Sequence, residues 1–181
     1  MKTYYETSRL TLTLTNDELA YEILDYLRRN KSFLSPYEKV DEEEYFPGGN
    51  MNALVMRDVQ RFKDKQAVTF WIRKRGEERI IGSVGLSDII MVDEMSMASL
   101  NYRLDREEVR QGYMEEACRK CMSIAFDELL LHRLNVIIST KNEPSKNLAC
   151  KLGFLTEGIA RQFIKINECW EDHILMSKIN E

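Results

Sequence analysis

A glycine stands where a loop opens into a helical pattern, in the segment RQGYME at residues 110–115. The first N–H groups of a helix have no partner inside it, and with the helix dipole they attract anions. Gly112 lets the backbone approach a phosphate closely, and Arg110 adds a positive charge. The segment is neither a Walker loop nor a dinucleotide fingerprint, which need further glycines. From the residue types alone an ordinary turn is the favoured interpretation, and a backbone phosphate site is the alternative.

The segment NEPSKNLACKLGF, residues 142–154, predicts a short helix that starts near Ser145 and stops at Gly153. Serine is a preferred N-cap, and glycine suits the left-handed position that ends a helix. Asn142 precedes Pro144, a combination that is typical of a turn. From the residue types alone, Ser145 is a helix cap and Asn142 a turn residue.

Cys118 and Cys121 form a CxxC pair, but the pair lies inside a helical pattern rather than at the start of a helix. A redox pair usually sits at a helix N-terminus, where the dipole lowers the thiol pKa. No second CxxC completes a zinc site, and His132 and His173 lack metal-ligand spacing to it. The pattern predicts reduced, mostly buried thiols and no bound metal.

The composition indicates a globular protein. A chain of 181 residues, 44% hydrophobic and 31% charged, suits one domain over residues 1–181. Its net charge of −4 argues against a nucleic-acid partner. No apolar run approaches the roughly 20 residues of a membrane span, and the N-terminus MKTYYETSRL lacks a secretory pattern. We therefore expect a cytoplasmic protein with no membrane partner.

Hydrophobic periodicity predicts alternating strands and helices. In SRLTLTLT, Leu10, Leu12 and Leu14 alternate with threonines, as in a half-buried strand. Two helical patterns follow, and then a hairpin of AVTFWIRKR and RIIGSVGLSDII. MASLNYRL extends the meander, and LNVIIST is a buried-type strand between the helices near residues 113 and 145. IARQFIKI and WEDHILMSKI close the sheet. The order β-α-α-β-β-β-α-β-α-β-β places the chain in the α/β (α+β) class.

DREEVRQGYMEEA resembles the acetyl-CoA pyrophosphate loop of the GNAT acetyltransferases, which follows the pattern Arg/Gln-x-x-Gly-x-Gly/Ala. Gly112 falls on the central glycine, whereas Val109 and Met114 depart from the pattern. GYMEEA is more similar to the loop of the ribosomal-protein N-terminal acetyltransferase branch. TSRLTLTLT, FLSPY, HRLNVIISTKNEPSKNLACKLGFLTEG and WEDHILMSKI also resemble segments of that branch, in the same order along nearly the whole chain.

The resemblance implies a fold and a cofactor. The GNAT fold has a mixed, mostly antiparallel sheet of about seven strands and about four helices. Its fourth and fifth strands splay apart and admit acetyl-CoA, and no metal takes part. MASLNYRL is then the fourth strand, and it pairs with the pantetheine through Tyr102, Arg103 and Leu104. The implied pyrophosphate site comprises Arg110, Gln111, Gly112, Tyr113, Met114 and Glu115, and Asn142 matches the asparagine that bonds the pantetheine arm.

The same resemblance implies that Ser145 protonates the departing CoA thiolate. Many GNAT enzymes use a tyrosine a few residues later, where this chain has Ala149. Some carry a glutamate on the sixth strand as general base, but ARQFIKI contains no acid. Glu168, Glu171, Asp172 and His173 lie nearby in sequence, and the base stays unassigned.

The resemblance implies that the acceptor is a primary amine. Three interpretations of the protein's function stay open. They are a protein or peptide N-terminus, such as that of a ribosomal protein; a small amine such as a polyamine or an antibiotic; and a catalytically idle acetyl-CoA-binding module. The acidic stretch at residues 41–44 falls in the loop region that covers the acceptor side in this family, but a solvated charge run is the favoured interpretation. Tyr37 and Phe46 are candidates to line the same side, although packing is the usual role of aromatic residues in such loops. A homodimer also stays open.

Overall fold

The computed structural model describes residues 1–38 and 52–181. The strands are β1 Tyr4–Glu6, β2 Leu10–Leu14, β3 Val68–Lys74, β4 Ile80–Val92, β5 Met95–Leu104, β6 Arg133–Ser139, β7 Leu155–Ile166 and β8 Cys169–Ile179. The helices are α1 Ala20–Leu34, α2 Asn52–Lys63, α3 Tyr113–Ser123 and α4 Glu143–Lys151. The acidic stretch at residues 41–44 and Phe46 lie outside the described residues, so the prediction of an acceptor-side role for them stays a prediction.

The strands of the described part of the chain form one sheet, in the order β1-β2-β3-β4-β5-β6-β8-β7. Neighbouring strands are antiparallel except β5 and β6, which are parallel. The mixed, mostly antiparallel sheet with four helices confirms the predicted fold class. The sheet has eight strands instead of about seven because β1 is also paired. β1 spans three residues, which is too short for an alternating pattern to reveal it.

The leucines of β2 show why its sequence forms a strand. Leu10 and Leu12 are fully buried and Leu14 is 7% exposed, whereas the threonines between them are half-buried. Successive side chains of a strand point to opposite faces, so alternation places all three leucines on one face. Fully burying a leucine stabilises the fold by about 1.5–3 kcal/mol. This face of the sheet therefore carries a hydrophobic core.

The helices cover the two faces of the sheet. Helix α3 packs its buried Ala117, Cys118 and Cys121 against the leucines of β2, and the C-terminal part of α4 joins the same cluster. Helix α1 packs Ile23 and Tyr26 against Trp71 on the opposite face, where α2 also lies. The sheet therefore presents one face to α3 and α4 and the other to α1 and α2.

The sheet splits between β5 and β6. Residues 97–99 of β5 pair with residues 133–135 of β6, and β5 then continues to Leu104 while β6 continues to Ser139. β4 covers one edge of β5 as far as Leu104, but from Leu100 the other edge has no strand partner among the described residues. An unpaired edge offers N–H and C=O groups to an extended ligand. The splayed strands predicted by the resemblance are thus present.

Candidate functional site

The loop before α3 has the backbone conformation that an anion site requires. Gly112 occupies the N-cap position of α3 with a φ of 80°, in the left-handed region, and Arg110 has a φ of 64°. A Cβ at Gly112 would meet one side-chain atom, the Arg9 Nη2, at 3.4 Å. Gly112 is exposed, so its surface is open to a ligand. The first N–H groups of α3 and this open glycine fit a diphosphate.

The residues of the loop differ in what they offer to a ligand. The Met114 side chain is buried in the core, so only its backbone N–H is available. Glu115 is paired with Lys151 at 2.6 Å and Arg119 at 3.0 Å, and the hydrogen bonds from these cations lower its pKa. A carboxylate repels a phosphate, so Glu115 can serve only through its backbone. The Gln111 side chain is engaged by the turn before it, where its Nε2 donates to the Glu108 carboxylate at 3.2 Å.

Two residues without an assigned role in the sequence interpretation, Arg9 and Glu116, lie beside this loop. The Arg9 Nε donates to Glu116 Oε2 at 2.7 Å, and its Nη1 donates to the Gln111 carbonyl at 2.9 Å. The arginine belongs to TSRL and the glutamate to GYMEEA, two segments that carry the family resemblance. Their positions in these two segments were the available signal in the sequence. That signal does not reveal a contact between residues 107 positions apart.

Tyr102 connects β5 to the first turn of α4. Its hydroxyl donates to the Ser145 carbonyl at 3.1 Å, and burial raises the pKa of Tyr102, which keeps the phenol neutral as a donor. The Tyr102 and Leu104 side chains pack against the core on the α3 side. The backbone of β5 is therefore held in place at these residues, and within the described part of the chain one of its edges has no strand partner.

Arg103 lies between Tyr102 and Leu104 and points to the α1 side of the sheet. Its Nε donates to the Glu38 carboxylate at 2.8 Å. Burial raises the pKa of Glu38, and the charge of Arg103 opposes that rise. The structure thus places the backbone of all three predicted β5 residues beside the split between β5 and β6. The Arg103 side chain, in contrast, lies on the α1 side of the sheet.

At the start of α4, the structure assigns the cap to Asn142 and not to Ser145. The helix begins at Glu143, and the Asn142 Oδ1 accepts a hydrogen bond from the Ser145 N–H at 3.1 Å. The prediction of Ser145 as N-cap is wrong because Asn142 precedes it in the same stretch and Pro144 fits the first turn. No hydrogen bond among the described residues engages the Ser145 Oγ. Its hydroxyl is half-buried and able to meet a ligand.

Where β6 ends, Glu171 of β8 meets Ser139 and Lys141. Its Oε2 accepts from the Ser139 Oγ at 3.0 Å, and its Oε1 is 2.6 Å from the Lys141 Nζ. The hydrogen bond from Lys141, assisted by that from Ser139, lowers the pKa of Glu171. His173 is buried beside them, with its Nδ1 3.0 Å from the Glu171 carbonyl. Glu171 is thus a weak proton acceptor.

The CxxC thiols are core residues. Cys118 and Cys121 are fully buried in α3, and burial raises the pKa of Cys121 to about 12. Cys150 and Cys169 are exposed, and all four thiols are free. Across residues 1–38 and 52–181, no group of three or more His, Cys, Asp or Glu side chains is arranged to hold a metal ion. In the same residues, no helix is both long and apolar enough to cross a membrane.

The sheet splits between two parallel strands, and the first of them is followed by a glycine loop and a helix N-terminus, which is the arrangement that the resemblance to the GNAT acetyltransferases implies. A family model described as the acetyltransferase (GNAT) domain matches residues 9–155. The chain therefore belongs to the GNAT acetyltransferase family and is an acetyl-CoA-dependent N-acetyltransferase. The expected cofactor, acetyl-CoA, is confirmed with the family.

Individual proteins are similar to this chain in sequence and in fold. The [ribosomal protein uS5]-alanine N-acetyltransferase of Escherichia coli K12 is 30% identical over 171 residues, which cover 93% of this chain and 87% of that protein. The ribosomal-protein-S5-alanine acetyltransferase of Vibrio fischeri has a crystal structure that matches with a TM-score of 0.90 and 31% identity, covering 99% of this chain and 98% of that one. The ribosomal L7/L12 alpha-N-protein acetyltransferase RimL, in complex with coenzyme A, shares the fold at a TM-score of 0.85 and 18% identity, covering 96% of this chain and 95% of that one.

Proposed function

We propose that this enzyme acetylates the α-amine of a protein or peptide N-terminus. Support comes from the Escherichia coli relative, which is named for N-acetylation of an alanine in ribosomal protein uS5. An alanine has no side-chain amine, so an amine acetylated on an alanine in a protein is the α-amine of its N-terminus. The similarity over 93% of this chain is the observation that carries the proposal.

The electrostatics of the site favour the same acceptor. Glu171, with a lowered pKa, is a weak proton acceptor, and the Glu38 carboxylate, whose pKa is raised by burial, is paired with Arg103. At neutral pH an α-amine with a pKa near 7.7–8.0 is roughly one tenth neutral, whereas a lysine amine near 10.4 is neutral about four times in ten thousand. If no carboxylate removes the proton from the amine, the α-amine is favoured by a factor of about a few hundred, other things being equal.

Each part of the site has a task in the transfer. The backbone of residues 110–115 binds the diphosphate, and the edge of β5 at Tyr102, Arg103 and Leu104 pairs with the pantetheine. The neutral amine attacks the thioester carbonyl, so that an N–C bond forms, the C–S bond breaks and the surplus proton of the amine passes to solvent. The Ser145 hydroxyl gives its proton to the departing thiolate and regains one from solvent. Asn142 keeps its amide donors for the pantetheine because its oxygen caps α4.

A screen that measures release of the free CoA thiol tests this proposal. The acceptors are peptides with a free N-terminal alanine, the same peptides with a blocked N-terminus, and spermidine. We expect release with the free peptides and only background release with the blocked ones. Faster release with spermidine would indicate a small-amine acetyltransferase. Binding of acetyl-CoA without release for any amine would indicate an idle binding module.

A further inference from the structure

The residues before β2 are tied to the first turn of α3 through one carboxylate. The Glu116 Oε1 accepts hydrogen bonds from the Thr7 hydroxyl at 2.6 Å, the Ser8 hydroxyl at 3.0 Å and the Arg9 N–H at 2.8 Å. Burial raises the pKa of Glu116, but the hydrogen bonds from Thr7 and Arg9 outweigh burial and lower it to about 2. The carboxylate is therefore a charged anchor at neutral pH.

The anchor fixes the orientation of the Arg9 guanidinium. Its Nε donates to Glu116 Oε2, its Nη1 donates to the Gln111 carbonyl, and its Cζ lies 4.6 Å from the centre of the Tyr113 ring. A guanidinium is planar with its donors in a rigid fork, so the bond to Glu116 also aims the bond to Gln111. Arg9 thus joins the loop and the helix at residues 111, 113 and 116.

The bond to the Gln111 carbonyl determines where the next N–H points. In a planar trans peptide the C=O and the N–H point in opposite directions. Since the Gln111 carbonyl is turned toward Arg9, the Gly112 N–H is turned away from it, on the side opposite the guanidinium. Gly112 has a left-handed φ, where a backbone without a Cβ rotates easily, so the orientation of this peptide needs an external support.

We propose that Arg9 is a positioning residue for the diphosphate of the cofactor. It holds the Gln111–Gly112 peptide plane so that the Gly112 N–H is presented to the ligand before binding, and Glu116 holds Arg9. Preorganisation of this kind removes the cost of ordering the loop on binding. The inference rests on the proposed placement of the diphosphate at residues 110–115.

The variant Arg9→Lys tests the inference, because lysine keeps the positive charge but cannot hold Glu116 and Gln111 in one planar fork. We expect the Kd for CoA, measured by calorimetry, to rise about tenfold, the effect of losing the charge-assisted hydrogen bond between the Gly112 N–H and the diphosphate. The Kd for pantetheine, which lacks the diphosphate, is expected to stay within about twofold. Hydrogen exchange of the peptide around Gly112 should become faster in the free protein. Glu116→Gln should show the same selectivity because it releases Arg9.

Arg75→Lys is the matched control, since Arg75 is an exposed arginine whose carboxylate partner Glu6 is 3.8 Å away. We expect it to behave as wild type for both ligands. An unchanged Kd for CoA in Arg9→Lys, or an equal loss for CoA and pantetheine, would overturn the positioning role. Failure of the wild type to bind CoA would instead refute the proposed function. Loss of binding in Gly112→Val with none in Arg9→Lys would refute this inference alone.

Discussion

Ser145 and Asn142 have separate tasks at the residue scale, and the first prediction follows from that separation. Because Asn142 caps α4, replacing Ser145 with alanine removes the proposed acid without removing the cap. We expect Ser145→Ala to lower kcat by at least about tenfold, since a general acid contributes about 10²–10⁴-fold. The affinity for acetyl-CoA and the melting temperature should change little. Steady-state kinetics and a melting curve measure both, and full activity would dismiss the catalytic role.

Asn142 provides the complementary prediction. We expect Asn142→Ala to lower the free energy of unfolding by about 1 kcal/mol, because the Ser145 N–H loses its acceptor. Asn142→Asp should keep that stability because aspartate is also a good cap. Urea unfolding of the two variants provides the measurement. Equal stability of the alanine variant and the wild type would refute the cap.

The third prediction concerns Gly112. A valine there must adopt a positive φ, which costs about 1–2 kcal/mol, and its side chain would stand where the diphosphate approaches. Wild type should be heat-stabilised by acetyl-CoA, by about 2.7 kcal/mol at a hundredfold excess over Kd, and Gly112→Val should lose this shift.

Gly76→Val is the matched control for that experiment. Gly76 has the same φ of 80°, and a Cβ there would meet nothing within 4 Å. The variant should suffer the same backbone strain but keep the acetyl-CoA shift. A normal shift in Gly112→Val would show that the diphosphate lies elsewhere.

Single residues were predictable where their role is local. Gly112 precedes a helix, and Cys118 and Cys121 lie on its apolar face, so neighbouring residues determine their positions. The Arg9–Glu116 contact was not predictable, because it depends on how the sheet and α3 pack across 107 positions of sequence. Asn142 and Ser145 are both good caps by residue type, and only the position at which the helix begins separates them.

At the scale of elements, the anchor between β2 and α3 predicts a pH dependence of stability. Glu116 has a folded-state pKa of about 2, below its usual value near 4.3, so its ionised form stabilises the fold. That contribution is complete above about pH 4.3 and is lost as the pH falls toward 2. Glu116→Gln should be about 2 kcal/mol less stable than wild type at pH 7, and this difference should shrink by pH 3.

Denaturant unfolding at several pH values measures this difference. Glu94→Gln is the control, since Glu94 is exposed in the turn between β4 and β5. Its stability relative to wild type should not vary between pH 7 and pH 3. A Glu116→Gln difference that is constant with pH would contradict the anchor.

Most elements follow from hydrophobic periodicity. The alternation in β2 and the apolar face of α3 identify both correctly because each is half-buried against one core. β1 was not predicted because a strand of three residues is too short to show an alternating pattern. It is held in place by its antiparallel pairing with β2 and by the hydrogen bond that the Tyr5 hydroxyl donates to Glu128. Helix α4 begins two residues before Ser145 because the Asn142 side chain caps it.

For the whole molecule, the split between β5 and β6 is the feature that local patterns could not reveal. MASLNYRL was predicted to extend a meander and LNVIIST to be a buried-type strand, whereas their parallel pairing over three residues is a property of the tertiary fold. The split was predicted only from the resemblance to the GNAT family. Beside the split, β5 directs Tyr102 and Leu104 to the α3 side of the sheet and Arg103 to the α1 side, where it meets Glu38. That the chain is a single domain stays a prediction.

The most direct test of the proposed function locates the acetyl group on a peptide that offers two amines. The peptide has a free N-terminal alanine and one internal lysine, and it is incubated with the enzyme and acetyl-CoA at neutral pH. Tandem mass spectrometry identifies the modified nitrogen, and the same peptide with a blocked N-terminus is the control. We predict acetylation of the α-amine, with lysine modified at least about a hundredfold more slowly. Acetylation mainly on lysine, or equal labelling of the blocked peptide, would contradict the proposed acceptor.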